Sequence, residues 1–589
     1  MVPRRRLAVG LAVLVLAASV CGADDHAYKV GQDVRLWVNK VGPYNNPQET
    51  YNYYYLPFCK PSGAGKPAHK WGGLGEVLEG NQLIDSQLDV KYRSDVPKKN
   101  ICTLPLKEAD VKVFKQAVQK HYWYELFIDD LPVWGFVGPP PEETKDDENI
   151  YIYTHKAFEI AYNDNRIIQV NLTSEQPHAL AVGEALQFTY SVKWTPTTTP
   201  FSRRFERYLD YNFFEHQIHW FSIFNSFMMV LFLTGLVAMI LLRTLRRDYA
   251  KYTRDDDDVE GALEDGGNGE ESGWKLVHGD VFRPPRHPEL LSALIGTGVQ
   301  LAMLVLCVVL ITIAGTLFEE RGVILTMILL VYALTSVVGG AASGGHYSRS
   351  DGKAWIKTML LTATIYPALV FGIGFVLNTI AIFQRSLAAV PFGTMVVVAL
   401  LWSCISVPLC LLGTAFGRNV GGPANNPCRV KRIPSPIPHK QWYLRPWAIS
   451  LMGGVLPFGA IFIETYYVFT AMWAFKVYYV YGFALLVLLI LLIVAACVSV
   501  VGSYFLLNSE NYHWQWTAFN TAASTALYVF LYSIHYFHTK TKMTGFFQTA
   551  FYFGYTAIFC LGLGIMCGAT GYLGASAFVR RIYRNIKCD

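Results

Sequence analysis

Nine apolar segments after residue 220 constrain this chain more than any other feature. Each has close to the ~20 residues that a helix needs to cross a hydrocarbon core about 30 Å thick. With 52% hydrophobic and 16% charged residues in 589 positions, the chain is too apolar for one soluble core. The sequence therefore predicts a membrane protein with an all-α bundle of nine transmembrane helices over residues 221–578. The segments lie at 221–242, 291–316, 323–345, 355–378, 391–415, 447–470, 480–506, 516–537 and 546–578.

The amino terminus reads MVPRRRLAVGLAVLVLAASVCGADD. Three arginines precede a short apolar run, and the small residues Cys21 and Ala23 follow at the positions that a signal peptidase reads. We expect residues 1–23 to be a cleavable signal peptide. The alternative is a first membrane anchor, for which the apolar run is short.

Residues 24–215 are polar and aromatic, with alternating stretches such as YIYTHKAFEIAY, IIQVNL and QFTYSVKW. Period-two alternation of β-branched and aromatic residues is typical of strands on a half-buried sheet. The sequence predicts a β-rich, sandwich-like domain here, with one helix in PLKEADVKVFKQAVQKH.

Basic residues indicate the orientation of the spans. If the mature amino terminus is lumenal, the cytosolic segments contain 21 Lys and Arg residues and the four lumenal loops between spans contain 5. Since positive charge concentrates on the cytosolic side, we expect a lumenal β domain and a cytosolic carboxyl terminus. The first cytosolic segment, 243–290, includes the acidic stretch TRDDDDVEGALEDGGNGEESG, which we expect to be a solvated linker, or alternatively a partner-binding segment.

Two features of the predicted lumenal domain fit a secreted environment. Cys59 and Cys102 are its only cysteines, so we expect a disulfide between them, with two buried free thiols as the alternative. Asn171 begins the one N-x-[ST] sequence of the chain and is a candidate glycosylation site.

Residues for catalysis are scarce in the spans. Glu464 is the one acid that falls well inside a predicted span, and its position along the helix places it near the lumenal interface. It is either an interfacial residue bonded to its neighbours or a contact for cargo or an ion. HExxH, paired CxxC, G-x-S-x-G and P-loop motifs do not occur in the sequence, so we expect no enzyme, cofactor or metal site.

Small residues are frequent in the spans, above all in GLGIMCGATGYLGASA of the ninth, which contains Gly562, Gly564, Gly568 and Gly571. In lipid, small residues at helical spacing let helix backbones approach closely. These glycines either pack the bundle internally or form a surface that recognises other small-residue transmembrane helices.

Three long stretches carry a resemblance to a known family: GWKLVHGDVFRPP from Gly273, WFSIFNSFMMVLFLTGLVAMILLRTLRRDYA from Trp220, and LPFGAIFIETYYVF around Glu464. With the nine-span layout, they resemble the nonaspanins, the transmembrane-9 superfamily, over essentially the whole mature chain. The resemblance implies residence in the Golgi and early secretory membranes. It also implies a role in sorting or localising membrane proteins that have glycine-rich spans.

The cytosolic tail, 579–589, ends in Lys587-Cys588-Asp589, which is similar to the K-x-[DE] signal of the family. The resemblance implies that Lys587 and Asp589 are contacted by COPI coat subunits. The alternative is an ordinary basic tail that follows the positive-inside rule.

Two other functions remain open at this stage. A transporter or channel would need polar residues around a midplane cavity and broken helices, for which Pro367, Pro408 and Pro457 are candidates. A receptor would bind a soluble ligand through the β domain.

Overall fold

The computed structural model describes residues 26–60, 68–70, 72–140, 150–208, 218–257, 273–315, 322–423, 425–439, 441–473 and 481–584. The chain forms two compact units, each described here over those residues. The first is Met1–Val41, Tyr53–Lys70 and Leu83–Glu206, and the second is Gly42–Asn52, Trp71–Gln82 and Arg207–Asp589. The predicted signal peptide lies outside the described residues.

The first unit is built on two sheets. The strands of the chain are β1 Leu36–Pro43, β2 Tyr51–Asn52, β3 His69–Lys70, β4 Leu83–Asp85, β5 Val96–Pro105, β6 Tyr122–Ile128, β7 Leu131–Phe136, β8 Tyr151–Asn163, β9 Arg166–Ala179 and β10 Ala185–Pro196, of which β2 belongs to the second unit. One sheet of the first unit has the strand order β3-β4-β1-β6-β7, and the other has the order β5-β10-β8-β9, in which β10 and β8 run parallel. One helix, α2 (Glu108–Gln119), accompanies them.

Strand β10 shows why the sequence folds in this way. Its alternate residues Leu186, Phe188, Tyr190, Val192 and Trp194 are all buried, none more than 8% exposed. Successive side chains of a strand point to opposite faces, so this period places one face of β10 in the core. The prediction of a β-rich amino-terminal domain is confirmed.

The second unit contains the apolar helices. Among the described residues, eight are long and apolar enough to cross a membrane, which confirms a multi-span membrane protein. The helices of this unit are α1 Leu74–Leu78, α3 Ile218–Asp257, α4 Pro288–Ala314, α5 Val323–Arg349, α6 Trp355–Phe383, α7 Phe392–Leu401, α8 Val407–Gly421, α9 Pro446–Gly453, α10 Val455–Trp473, α11 Tyr481–Asn508, α12 Trp514–Ala523, α13 Thr525–Lys540 and α14 Phe546–Tyr583.

Three of the nine predicted spans contain a local break in regular α-helical hydrogen bonding, although Gly454 and Ser524 keep right-handed helical backbone angles. The segment predicted at 516–537 consists of α12 and α13, which are separated at Ser524 and are each too short to span alone. The span predicted at 447–470 is likewise interrupted, between α9 and α10 at Gly454. A π turn at Trp402–Ser406 joins α7 to α8.

The breaks at Gly454 and Ser524 lie against each other, and the one at Gly454 has a local cause. Pro457 has no N–H to bond to the carbonyl four residues earlier, so regular hydrogen bonding fails at Gly453. A Cβ built on Gly454 would lie 2.3 Å from Ser524 Oγ, and that hydroxyl donates to the carbonyl of Ser450 at 2.6 Å. Only a glycine allows this approach of the two helices.

Residues 42–52 and 71–82 precede the first span in the sequence, yet they belong to the second unit. The Asn46 amide donates to the Thr544 carbonyl at 2.9 Å, and Ser386 Oγ donates to the Thr50 carbonyl at 2.8 Å. Loop contacts that sequence patterning does not reveal therefore join these residues to the spans. The boundary predicted at residue 215 lies outside the described residues and stays a prediction.

Helix ends also differ from the predicted loop boundaries. Helix α3 continues to Asp257, well into the segment predicted as a linker, and residues 258–272 of the acidic stretch lie outside the described residues. Helix α14 continues to Tyr583, so Arg580 and Arg581 are helical rather than part of an extended tail.

Candidate functional site

The glycines of α14 face the inside of the bundle. Gly562, Gly564, Gly568 and Gly571 are all buried. A Cβ added to Gly568 would lie 2.7 Å from the Phe519 ring, and one added to Gly571 would lie 2.2 Å from a serine hydroxyl on α11. This placement favours internal packing, the first of the two alternatives for these residues.

Glu464 also points into the bundle. It lies in α10 and is 5% exposed. A side chain buried to this degree cannot be reached by a partner helix in the bilayer, so the structure favours a role inside the second unit.

A second row of small residues points outward, on α6. Thr364, Ala368 and Gly372 are four residues apart and so lie on one helix face. Ala368 and Gly372 are exposed, and no described atom lies within 4 Å of a Cβ built on Gly372. Phe375, 69% exposed, and Val376, 57% exposed, continue this outward surface. We call Thr364, Ala368, Gly372, Phe375 and Val376 the outer face of α6.

Helix α7 is another weakly packed element of the spans. The described part of the chain buries none of its ten residues. The polar link near its start is a hydrogen bond of 2.6 Å from the Val390 N–H to Asn378 Oδ1 on α6. The second unit therefore presents to the bilayer a helix segment that few of its own residues cover.

The sequence-predicted residues outside the spans are widely separated. Cys59 and Cys102 form a disulfide in the first unit, with Cα atoms 5.9 Å apart. Asn171 lies within β9, opposite Glu159 of β8, and is half-buried, so it sits on a regular strand rather than on a loop. Lys587 and Asp589 lie outside the described residues, and their role stays a prediction.

Sequence reasoning missed a lysine enclosed by aromatic rings. Lys156 of β8 has its Nζ 4.9 Å, 5.0 Å and 4.5 Å from the ring centroids of Tyr53, Phe58 and Tyr124, and it donates to the Tyr53 hydroxyl. Lys156, Tyr53 and Phe58 line a small cavity of about 40 Å³, and Cys59 also lines it. Burial lowers the pKa of Lys156 to about 7, against 10.5 for an ordinary lysine. No local pattern indicates this site, because its residues come from three separated parts of the chain.

The stretch GWKLVHGDVFRPP forms an ordered segment, 273–287, at the end of the bundle where α4 begins. Asp280 is 1% exposed, pairs with Arg283 at 2.6 Å and accepts from Ser435 Oγ at 2.8 Å. The Trp514 indole donates to the Val281 carbonyl at 2.8 Å. Burial raises the pKa of Asp280, but the hydrogen bonds from Arg283 and Ser435 outweigh it and hold that pKa below its usual value. We call residues 273–287 the cap segment.

No cluster of three or more His, Cys, Asp or Glu side chains suited to a metal ion occurs among the described residues. The outer face of α6 is a candidate binding surface of the spans, and its chemistry is helix-to-helix packing.

Comparison with known proteins agrees with the fold. The family model of endomembrane protein 70 matches residues 50–546. Transmembrane 9 superfamily member 4 of Arabidopsis thaliana is 38% identical over 580 residues, covering 97% of this chain and 96% of the relative. Member 3 of the same species is 38% identical over 578 residues, covering 96% of each, and member 1 of Mus musculus is 36% identical over 574 residues, covering 95% and 94%. No solved structure matches. The chain belongs to the transmembrane 9 superfamily, the nonaspanins, and is a multi-pass protein of the endomembrane system.

Proposed function

We propose that this protein helps to sort or localise other membrane proteins in Golgi and early secretory membranes by binding their transmembrane helices, particularly glycine-rich ones. The observation that carries the proposal is the outer face of α6, where small residues at helical spacing point away from the bundle. The buried glycines of α14 do not contribute to this surface.

The physics of the bilayer explains why such a face can select glycine-rich helices. Lipid tails are as apolar as leucine, so helices gain little from hydrophobic burial and associate through close van der Waals packing. At Gly372 the backbone of α6 is open to approach, and a partner helix with glycine at the crossing point comes closest. A partner with large residues there is held further away and gains fewer contacts.

The test compares two exposed glycines. Gly372→Leu blocks the outer face of α6, whereas Gly459→Leu adds the same side chain to α10, where a built Cβ also has no described atom within 4 Å. Neither variant should disturb folding. We expect Gly372→Leu to reduce co-purification of a membrane protein with a glycine-rich span by several fold and Gly459→Leu to leave it unchanged. Equal capture by both variants would remove the α6 face from the proposal.

The tail supplies the proposed location. One lysine and two terminal carboxylates, within about eleven residues of the predicted ninth span, offer a coat protein both signs of charge close to the membrane. We expect the Lys587→Ala/Asp589→Ala variant to lose both Golgi retention and binding of tail peptides to COPI subunits. Unchanged location and unchanged coat binding would reduce the tail to a topological anchor.

A transporter is the second candidate, and Glu464 favours it, because an ionisable residue buried inside a span is costly and is usually retained for function. Ion-dependent flux in proteoliposomes that Glu464→Gln abolishes would support this candidate, and absence of flux would exclude it.

A further inference from the structure

A large cavity lies at the end of the bundle that carries the cap segment. Its volume is about 520 Å³, within the range of roughly 300–1,000 Å³ that small-molecule sites occupy. Helices α4 and α12 begin beside it, and α5 and α14 end beside it. Its walls combine apolar side chains, such as Ile295, Val299 and Leu573, with two guanidinium groups.

The two guanidinium groups are those of Arg349 and Arg580. Among the described residues, neither side chain forms an ion pair or a hydrogen bond with the protein. The carboxylate of Asp351 also lines the cavity, so one positive charge remains in excess. The cavity therefore offers ten N–H donors from two arginines and a net attraction for an anion.

Two polar groups of the wall, His346 and Tyr572, already bond to each other, and Ser292 behind the wall bonds to His346. Ser292 Oγ donates to the Pro288 carbonyl at 2.7 Å, so it accepts from His346 Nδ1 at 2.7 Å. His346 Nε2 then accepts from the Tyr572 hydroxyl at 2.8 Å, and the Tyr572 ring stacks on Trp514 at 5.7 Å. These hydrogen bonds hold the wall in place and leave the two arginines as the positively charged donors available to a ligand.

The level of the cavity in the membrane indicates the kind of anion. Helix α5 has 27 residues, about 40 Å, and Arg349 is its last residue. Since the hydrocarbon core is about 30 Å thick, Arg349 lies at the depth of lipid headgroups. Leu573 lines the cavity and is also 45% exposed, so the apolar wall continues to the outside of the bundle.

We propose that this cavity binds the phosphate-bearing headgroup of an anionic lipid, with the phosphate between Arg349 and Arg580 and an acyl chain leaving past Leu573. Guanidinium groups pair with phosphate oxygens in a bidentate manner, and a phosphomonoester can accept from both. The neutral, apolar part of the ligand contacts the wall formed by Ile295 and Val299.

The experiment uses the full-length protein in nanodiscs of phosphatidylcholine and measures binding of dioctanoyl phosphatidic acid by native mass spectrometry. Arg349→Gln/Arg580→Gln removes both guanidinium groups. Arg432→Gln/Arg445→Gln is the matched control, because it removes the same charge from two exposed arginines that do not line the cavity. We expect the first variant to weaken binding by at least about tenfold, since two charge-assisted contacts are lost, and the control to bind as the wild type does.

Dioctanoylglycerol carries only the apolar part of the ligand, and inorganic phosphate carries only the anionic part. We expect each of these compounds to bind at least about tenfold more weakly than the complete lipid. Binding of inorganic phosphate as tight as that of the lipid would overturn the lipid assignment in favour of a soluble phosphate compound. Equal losses in both arginine variants, or no loss in either, would overturn the site. Should the first variant fold poorly without ligand, Asn426→Trp fills the cavity from a loop, and unchanged lipid binding by it would also overturn the site.

Discussion

Lys156 makes the stability of the first unit depend on pH in a direction that can be worked out. Its ε-amine is surrounded by Tyr53, Phe58 and Tyr124, and burial lowers its pKa to about 7 from 10.5. The folded chain therefore binds fewer protons than the unfolded chain between these two values. Stability must rise with pH across this interval and be independent of Lys156 below it.

The size of the effect follows from the shift. A difference of about 3.5 pKa units corresponds to about 5 kcal/mol between the limits of low and high pH, at 1.36 kcal/mol per unit. Between pH 7 and pH 9, the free energy of unfolding rises by about 2 kcal/mol of this total. The reason is that Lys156 loses its proton in the folded chain over this range but keeps it in the unfolded chain. The variant Lys156→Met has no titrating amine at this place and should lack that rise.

Pulse proteolysis in urea on the full-length protein in detergent would measure the free energy of unfolding of the first unit at pH 7, 8 and 9. The control is Lys193→Met, which makes the same change at an exposed position of β10. We expect the wild type and the control to gain about 2 kcal/mol over this range and Lys156→Met to gain none. A rise of the same size in Lys156→Met would refute the reasoning, because the titrating group would then lie elsewhere.

Three further substitutions probe the packing of both units. Asp280→Asn removes the buried partner of Arg283 and should lower the free energy of unfolding by roughly 2–4 kcal/mol. Because the pKa of Asp280 is lowered in the folded chain, the stability that its carboxylate contributes is present above about pH 4 and is lost as the pH falls below it. Thermal unfolding of the wild type and the variant at pH 7 and pH 3 would show this difference. The variant Cys59→Ala/Cys102→Ala opens a loop of 43 residues and should cost about 4 kcal/mol by the chain-entropy relation, measured by urea unfolding of the first unit. Gly568→Leu places a side chain against a buried ring and should cost at least about 1–3 kcal/mol, seen as a lower midpoint of thermal unfolding; an unchanged midpoint would mean that α14 is not packed as described.

Periodicity predicted those parts of the fold in which one face is buried. The alternation in β10 is visible in the sequence because its other face is solvated. Strand β6, Tyr122–Ile128, was missed because all seven of its residues are buried and the sequence YWYELFI therefore has no period of two. Hydropathy likewise placed the spans, since apolar length is a local property.

What the sequence could not predict depends on contacts between distant elements. The break at Ser524 coincides with a hydrogen bond to Ser450 and a close approach to Gly454, residues that lie 74 and 70 positions earlier in the chain. Arg349 and Arg580 meet at one cavity only because the ends of α5 and α14 coincide. A pattern within one segment carries no information on either arrangement.

The glycines show the same limit and lead to a sharper view of recognition. Gly372 and Gly568 lie in similar apolar surroundings in the sequence, yet the first is open and the second is pressed against an aromatic ring. A glycine that already packs against another helix of the same bundle is not accessible to a partner helix, even if its spacing is suitable. Selection of glycine-rich partners, if it occurs in the bilayer, must therefore use outward positions such as those of α6, where the close approach between helices is still to be made.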